Sequence, residues 1–420
     1  MNESLLQFIW KQALFNSTSL VSTENETINI VKRGTHNTDA GPDFLDASVK
    51  IGNTEWFGAV ELHVKTSEWI AHKHSTDPKY KNVILHVVYE NDEDACPDSI
   101  PVLALKPYIN ISFLEKYQQL MQEHQPILCN KYINDVPGII IEKWKERLIF
   151  ERFEHKIRQS TQIWKHGIED WKQLLYYLLC VNFGFKKNQD GFVAIFHSLP
   201  LSVLEKCSAS LLQLEALMFG QAGLIPTDFQ DDYTQQLEKE YHFLRRKFDL
   251  VPIQPIVWKF LRLRPPNFPT VRLAQFAQLF FKIKGDLTHL LHTTDVAKAA
   301  EFLDCAASAY FDTHYRLSAV SKSNEKKHLG LASIHNILIN SVAPIQYFYG
   351  QNFSKPQLEE GAVALLQEIP AEDNSIIKAW KAIGIKCNNA YDSQALLHLF
   401  NHYCKEKKCL NCSLFVKITK

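Results

Sequence analysis

The hydrophobic pattern of this chain changes its period once, and this change constrains the architecture more than any other feature. Over the first part of the chain, apolar and polar side chains alternate in short runs, which is typical of strands with one buried face. From about Ser112 onward, the apolar spacing becomes that of amphipathic helices. The sequence therefore predicts an α+β protein, with a mixed-sheet domain over residues 1–125 and a larger all-α domain over residues 126–420.

The individual elements follow from the same two periods. A helix is predicted over residues 4–15, and strands over residues 27–31, 47–51, 56–64, 83–89 and 102–105. A short connection over residues 67–80, which is helical or irregular, joins the third of these strands to the fourth. The later helices are predicted over residues 139–164, 171–183, 201–219, 234–248, 273–281 and 297–310.

Composition excludes several classes of protein. Lys and Arg together number 46, as do Asp and Glu, so net charge offers no argument for nucleic-acid binding and any basic surface is local. No apolar run approaches the ~20 residues that span a bilayer, and the first residues lack a positively charged signal region. Nine scattered cysteines fit reduced thiols. We expect a cytoplasmic protein without a membrane partner.

Two carboxylates and two bases lie close together on neighbouring predicted strands. Asp43 enters one strand, whereas Glu61, His63 and Lys65 alternate along another. Because side chains on a strand alternate between faces, these three should project from one side of the sheet. Carboxylates and a nitrogen base that converge there suit magnesium or manganese. Alternatively, Asp43 caps a turn and Glu61 pairs with a cation, although a lone acid is costly to bury in an apolar strand.

The arrangement Pro42-Asp43 followed by Glu61-Leu62-His63 resembles the PD-(D/E)xK nuclease superfamily. The resemblance implies an αβββαβ core in which Asp43 and Glu61 bind the catalytic metal. The family usually carries Lys at the position of His63, and Lys65 is the alternative base on the same face. The resemblance therefore implies a metal-dependent phosphodiesterase in which His63 or Lys65 positions or deprotonates water.

A longer stretch of residues resembles a bacterial family known as domain of unknown function 2851. The resemblance rests on residues 37–44, 58–63, 67–69, 72–74 and 83–88, on Asp77 and Tyr80, and on residues 403–412. It implies no particular activity, because that family has no assigned function.

Histidines are concentrated in the first region, where His36, His72, His74 and His86 accompany His63. Neutral imidazole is a common metal ligand, so some of them are candidate ligands or proton carriers. His86 lies within an apolar strand, which also fits a hydrogen-bonded core histidine. His72 and His74 flank Lys73 in a predicted loop, which also fits plain surface residues.

The C-terminal tail carries a second candidate metal site, formed by Cys387, Cys404, Cys409 and Cys412. A C-x2-C pair with further cysteines nearby can bind zinc or an iron–sulfur cluster. The alternative is a set of reduced cysteines that pack on the helical domain.

A proline-rich segment between helices holds Arg262, Arg264 and Arg272. A stiff backbone could direct these arginines toward phosphates, so they are candidate nucleic-acid contacts. The alternative is a rigid loop whose arginines satisfy helix ends.

The sequence contains no glycine-rich phosphate loop and no serine-nucleophile elbow. The leading hypothesis is a metal-dependent phosphodiesterase that acts on nucleic acid, with a helical domain that binds substrate or a protein partner. Two alternatives stay open. One is a non-catalytic binding or scaffold protein that keeps a nuclease-like fold, and the other is a metal-dependent hydrolase of small molecules.

Overall fold

A computed structural model describes residues 1–93, 99–123, 125–163, 170–228 and 231–419, without the side chains of residues 161–163. The described chain forms two compact units. The first unit comprises Met1–Trp144, Ala379–Ile385 and Leu399–Lys420, and the second comprises Lys145–Lys378 and Lys386–His398. The boundary predicted from the sequence lies at residue 125, with the tail in the helical domain. In the structure the tail belongs to the unit that contains the sheet.

A mixed seven-stranded sheet forms the centre of the first unit. Its strands are β1 (Leu20–Val21), β2 (Thr27–Lys32), β3 (Thr35–His36), β4 (Phe44–Ile51), β5 (Thr54–Lys65), β6 (Val83–Glu90) and β7 (Val102–Ala104). The order is β1-β2-β4-β5-β6-β7, and β3 pairs with the start of β4. The pairs β5–β6 and β6–β7 are parallel and the others are antiparallel.

Helix α1 (Glu3–Gln12) precedes the sheet. It starts at Asn2, whose side chain accepts a hydrogen bond from the Leu5 N–H, and it ends at Ala13, which adopts a left-handed conformation. Its apolar face buries Leu6, Ile9 and Trp10, and this spacing is that of a helix with one side in a core.

The parallel connection from β5 to β6 positions the candidate site. It contains helix α2 (Glu68–Ala71) and two single turns of 3₁₀ helix, His74–Thr76 and Pro78–Tyr80. Trp69 on α2 is 1% exposed and packs against Ala59, Val83, Val88 and Val102 of the sheet. Because this side chain fills the space beneath the connection, it fixes the height of the connection above β5.

The rest of the described chain is mostly helical. The helices are α3 (Ile111–Gln122), α4 (Gly138–Ile163), α5 (Trp171–Phe183), α6 (Phe185–Ser198), α7 (Leu201–Cys207), α8 (Leu211–Gln221), α9 (Asp232–Phe248), α10 (Pro269–Lys282), α11 (Thr288–His292), α12 (Val296–Leu303), α13 (Leu331–Ile337), α14 (Ala343–Asn352), α15 (Pro356–Glu368), α16 (Ser375–Ala382), α17 (Ala390–Leu399) and α18 (Ser413–Ile418). A two-stranded ribbon, β8 (His314–Arg316) and β9 (Ala319–Val320), lies between α12 and α13.

The predicted α+β architecture, with a mixed sheet followed by a larger helical region, is confirmed. The helix predicted over residues 201–219 is instead two helices, because Ser210 begins a new one by accepting a hydrogen bond from the Gln213 N–H. The helix predicted over 297–310 ends at Leu303. The last residue of the helix predicted over 139–164 lies outside the described residues. Within the described residues, we find no helix with the length and apolarity that crossing a membrane requires.

We predict that Gly58→Ala lowers the free energy of unfolding of the first unit by about 1–3 kcal/mol. A Cβ at Gly58 would collide with the backbone oxygen of Asn82 and the side chain of Ile84, where β5 meets the chain entering β6. Urea denaturation followed by circular dichroism measures the change. Gly138→Ala is the matched control, because a Cβ there meets nothing within 4 Å. Equal losses in the two variants would contradict the steric explanation.

Candidate metal centre

Strand β5 supplies two of the side chains at the candidate site. Glu61 and His63 lie two residues apart, so they point to the same face of the strand. Glu61 is paired with His86 across the parallel β5–β6 ladder. All three side chains are buried, with 5%, 1% and 0% of their surface exposed. Polar groups buried to this extent require partners, which defines the site as an interaction network.

The connection between β5 and β6 supplies two more histidines. Glu68 anchors it by accepting a hydrogen bond from the Val64 N–H at 2.9 Å, and Trp69 Nε1 donates to Ser75 Oγ at 3.1 Å. Lys73 adopts a left-handed conformation with φ of +61°, which reverses the chain between His72 and His74. The local turn therefore presents both imidazoles to β5.

Four potential ligand atoms converge at His63 Nε2. This nitrogen lies 3.0 Å from His72 Nδ1, 3.3 Å from His74 Nε2 and 3.6 Å from Glu61 Oε1. Glu61 Oε1 is also 3.3 Å from His74 Nε2. The ligand nitrogens of the three histidines all lie within 4.8 Å of one another. A transition-metal ion takes ligands of this kind from such a cluster.

The tautomer of each histidine decides which nitrogens of the cluster donate and which offer a lone pair. His63 Nδ1 lies 2.9 Å from His86 Nε2, so one of these two nitrogens donates its hydrogen to the other. A neutral imidazole has a single N–H. When His63 Nδ1 donates to His86, His63 Nε2 presents a lone pair to the other two histidines and to Glu61. In the metal-free protein an N–H of His72 or His74 can donate to this lone pair, and a bound cation would take the place of that hydrogen. His86 would then orient a ligand, as outer partners of metal sites commonly do.

Burial favours the neutral, metal-binding form of His63, His74 and His86. Burial and the neighbouring His86, His74 and His72 lower the pKa of His63 to about 2. Burial and His74 lower the pKa of His86 to about 3. The pKa of His74 is also lowered, by burial and by His72. Its ring stacks on Tyr80 with centroids 3.8 Å apart. These imidazoles therefore carry no proton that a metal must displace near neutral pH.

Asp43 and Glu61 are joined by reciprocal hydrogen bonds. The Asp43 N–H donates to Glu61 Oε2 at 3.0 Å, and the Leu62 N–H donates to Asp43 Oδ2 at 3.1 Å. Gln7 Nε2 on α1 donates to Asp43 Oδ1 at 2.8 Å. The two carboxylates lie together, as the sequence pattern suggested. Glu61 contacts the histidines through Oε1, whereas the Asp43 oxygens accept hydrogen bonds from Gln7 and the Leu62 N–H.

The protonation of both carboxyl groups is strongly perturbed. Burial, with the nearby Asp43, raises the pKa of Glu61 to about 9. Burial also raises the pKa of Asp43 to about 6, against the opposing hydrogen bond from Gln7. The site therefore combines a Glu61 that keeps its proton at neutral pH with the neutral side chains of His63, His74 and His86, and these groups carry no positive charge. A divalent cation would supply that charge.

Lys65 and His36 lie apart from this cluster. Lys65 is at the exposed end of β5, with its Nζ 3.8 Å from Asp92 Oδ2. The His36 ring packs on Phe44 at a centroid distance of 5.1 Å. His63 therefore occupies the centre of the site and Lys65 does not.

The three arginines singled out in the sequence have different environments. Arg262 and Arg264 are exposed, whereas Arg272 is 7% exposed. Arg272 donates to Gln275, Asn267 and Ser333, and its guanidinium lies 4.6 Å from the centre of the Phe185 ring. Arg272 thus packs within the second unit on α10, and its hydrogen bonds go to side chains and not to a helix end.

The predicted cysteine site is divided between the two compact units. Cys404, Cys409 and Cys412 belong to the first unit and Cys387 belongs to the second. Cys129, which the sequence analysis did not select, lies in the first unit with the three tail cysteines. Cys129 lies more than two hundred residues before the tail cysteines in the sequence, so no motif spacing connects it with them.

A groove of about 860 Å³ adjoins the histidine cluster. Its lining includes His74, Tyr80 and Lys81 together with Trp56 and Phe57. Trp56 is 48% exposed and Phe57 is 70% exposed. These aromatic residues are not among the candidates predicted from the sequence, although two adjacent large aromatics at the start of a predicted strand are a usable signal.

Residues 3–375 match a protein family described as "Protein of unknown function (DUF2851)". The chain belongs to this family. The match includes the histidine cluster and Cys129 and ends before the tail cysteines. No curated protein and no solved structure matches the chain. Family membership therefore brings no activity with it, and the chemistry of the site has to be argued from its own residues.

We predict that the affinity of the protein for Zn²⁺ or Mn²⁺ rises from about pH 5 to about pH 9, because binding requires ionised carboxylates. With a pKa of about 9, Glu61 still holds its proton at neutral pH, whereas Asp43, with a pKa of about 6, is mostly ionised. Metal binding at neutral pH should therefore release about one proton. Calorimetry in buffers of different ionisation enthalpy measures this release.

Two variants control this measurement. Glu61→Gln has no proton to lose at this position and should weaken binding and abolish the release. Lys65→Ala should behave like the wild type, because Lys65 lies outside the cluster. Proton release that persists unchanged in Glu61→Gln would show that another group titrates.

Proposed function

We propose that the first unit is a metal-dependent phosphodiesterase that acts on nucleic acid. The observation that carries the proposal is the convergence of nitrogens of His63, His72 and His74. Glu61 Oε1 lies 3.6 Å from the His63 nitrogen and 3.3 Å from the His74 nitrogen, beside the carboxyl group of Asp43. The order of one helix, antiparallel strands, a short helix and a parallel strand also supports it, since that order agrees with the nuclease-like core that the motif suggested.

The donor set favours a transition metal over magnesium. Three imidazole nitrogens and one carboxylate oxygen suit Zn²⁺ or Mn²⁺, whereas Mg²⁺ prefers oxygen ligands and retained water. We propose that Glu61, His63, His72 and His74 hold the ion. When bound, such an ion polarises a phosphoryl oxygen and lowers the pKa of water.

Asp43 fits the role of general base better than His63 or Lys65. A base works best when its pKa lies near the working pH, and the pKa of Asp43 is raised to about 6 by burial. The pKa of His63, lowered to about 2, makes that imidazole a weak base and a ready ligand. Each Asp43 oxygen accepts one hydrogen bond and keeps a lone pair that can take a proton. Gln7 and the Leu62 N–H hold this carboxylate in place.

The groove beside the cluster is the proposed substrate site. Trp56 and Phe57 offer exposed aromatic faces on which bases can stack, and Lys81 offers a positive charge for a phosphate. In the second unit, the exposed Arg262 and Arg264 are proposed phosphate contacts. The neutral net charge is compatible with this arrangement, because these cations act locally.

We predict that Asp43→Ala and Glu61→Ala each reduce Zn²⁺- or Mn²⁺-dependent cleavage of nucleic acid by more than about 100-fold, because Asp43→Ala removes the proposed general base and Glu61→Ala removes a proposed ligand of the ion. Nucleic-acid binding should be nearly unchanged, since strand affinity comes mainly from basic contacts. The assay measures cleavage of single- and double-stranded DNA and RNA with each metal. Lys65→Ala should cost less than His63→Ala, and Asp39→Ala, an exposed acid, is the matched control.

Two other outcomes identify the alternatives. Failure of the wild type to cleave any of these polymers, with ligand or partner binding that is insensitive to Asp43→Ala, would favour a scaffold protein with a nuclease-like fold. Metal-dependent hydrolysis of small esters alone would favour a small-molecule hydrolase.

We predict that Trp56→Ala weakens the binding of single-stranded nucleic acid by about 1–3 kcal/mol, because it removes one stacking face. Fluorescence anisotropy with a labelled oligonucleotide measures the affinity. Phe353→Ala is the control, since Phe353 is a comparably exposed aromatic residue of the second unit. Equal effects of the two substitutions would exclude a specific stacking role for the groove.

A further inference from the structure

Two tail cysteines lie on one tight turn. Cys409–Asn411 forms a single turn of 3₁₀ helix, and the Cys412 N–H donates to the Cys409 oxygen at 3.0 Å. Residues three apart in a 3₁₀ turn lie above one another on the same side. The turn therefore places Cys409 and Cys412 next to each other, and a C-x2-C pair on one turn is a typical source of two zinc ligands.

Hydrogen-bonded turns also hold the two other cysteines of the group. Cys404 ends the π-helical segment Phe400–Cys404, and its oxygen accepts from the Lys407 N–H at 3.1 Å. Cys129 lies in a turn in which its oxygen accepts from the Tyr132 N–H at 3.0 Å. The tail is fastened to the region of α3 by two lysines. Lys407 Nζ donates to the Met121 oxygen at 2.7 Å, and Lys116 Nζ donates to the Ile418 oxygen at 2.9 Å.

Each of the four thiols interacts electrostatically with the other three. Cys404 interacts with Cys129, Cys409 and Cys412, Cys129 interacts with Cys409 and Cys412, and Cys409 interacts with Cys412. Burial raises the pKa of Cys129 and of Cys409 to about 12, and raises the pKa values of Cys404 and Cys412 as well. The group is therefore a set of neighbouring thiols from two distant parts of the chain, of which Cys412 is buried and the other three residues are partly exposed.

We propose that Cys129, Cys404, Cys409 and Cys412 bind one structural zinc ion. Four cysteine ligands from the protein, with no position left for water, are typical of structural rather than catalytic zinc. Cys387 is not needed to complete the set, because Cys129 supplies the fourth ligand within the same compact unit. The ion would join the tail to the sheet-containing unit and would contribute folding energy there.

Coordination would draw the sulfurs together. In the described part of the chain, the histidine cluster is the group whose ligand atoms lie within 4.8 Å of one another, and no three sulfurs meet that limit. Zinc–sulfur bonds of ~2.3 Å require closer sulfurs. The cysteine side chains would therefore shift inward when the ion binds, with loss of the thiol protons.

The test uses the full chain, purified under reducing conditions without chelators. Zinc X-ray absorption should show sulfur neighbours at ~2.3 Å, which separates this site from the histidine centre with its nitrogen neighbours at ~2.0 Å. Elemental analysis should show that Cys129→Ser loses about one zinc ion per chain, as expected for removal of one ligand from a four-ligand site. Cys387→Ser, the matched control, should keep the sulfur-bound zinc ion. Glu61→Gln, which alters the histidine centre, should also keep the zinc ion at the sulfur site.

A second measurement on the wild type covers the case in which Cys129→Ser fails to fold. Titration with an organomercurial should release the sulfur-bound zinc as about four thiols react, which a zinc-responsive dye detects. The proposal is overturned if the wild type shows no sulfur-bound zinc, if folded Cys129→Ser retains it, or if Cys387→Ser loses it equally. Native disulfides among the four cysteines, found by mass spectrometry after alkylation, would also overturn it.

Discussion

The pair of hydrogen bonds between Asp43 and the Glu61 region of β5 is the interaction on which the candidate centre depends. The Asp43 N–H donates a hydrogen bond to Glu61 Oε2, so the other carboxylate oxygen, Oε1, faces His63 and His74. The Leu62 N–H holds the Asp43 carboxylate in return. A bulge in β4, where Asp46 has a φ of +56° and the register with β5 shifts between Phe44 and Ala47, occurs at this junction.

This arrangement makes the metal-free site electrostatically costly. In the unfolded chain Glu61 would have an ordinary pKa, whereas burial and Asp43 raise it to about 9 in the folded protein. As pH rises from the unfolded pKa toward the folded value, the unfolded chain loses its proton first, so the metal-free fold loses stability. A bound cation removes this cost by pairing with the ionised carboxylate. Metal binding and stability of the first unit should therefore be linked.

The two proposed ions would act on the same compact unit in different ways. The histidine centre lies between a strand and the connection that follows it, and its ligands come from a short stretch of chain, residues 61–74. The cysteine group joins a turn near residue 129 to the C-terminal tail. The first arrangement suits chemistry at an accessible rim, because His72 is exposed and a groove begins beside His74. The cysteine arrangement suits the closure of a long loop. Closing such a loop costs conformational entropy, and the binding energy of one ion can offset this cost.

The sequence by itself determined the elements whose evidence is local. Alternation with a period of two indicated the sheet, and the change to helical spacing indicated the second region, because periodicity reports which side of an element is buried. The same rule placed Glu61 and His63 on one face.

Contacts between distant segments were decided only by the tertiary structure. The left-handed turn at Lys73 brought His72 and His74 to His63, the parallel register of β6 added His86, and chain return brought Cys129 to the tail. Burial within the second unit likewise turned Arg272 from a candidate phosphate contact into a packed, hydrogen-bonded side chain. Periodicity carries no information on contacts between distant segments, because these contacts depend on strand register and chain reversal rather than on spacing along one element.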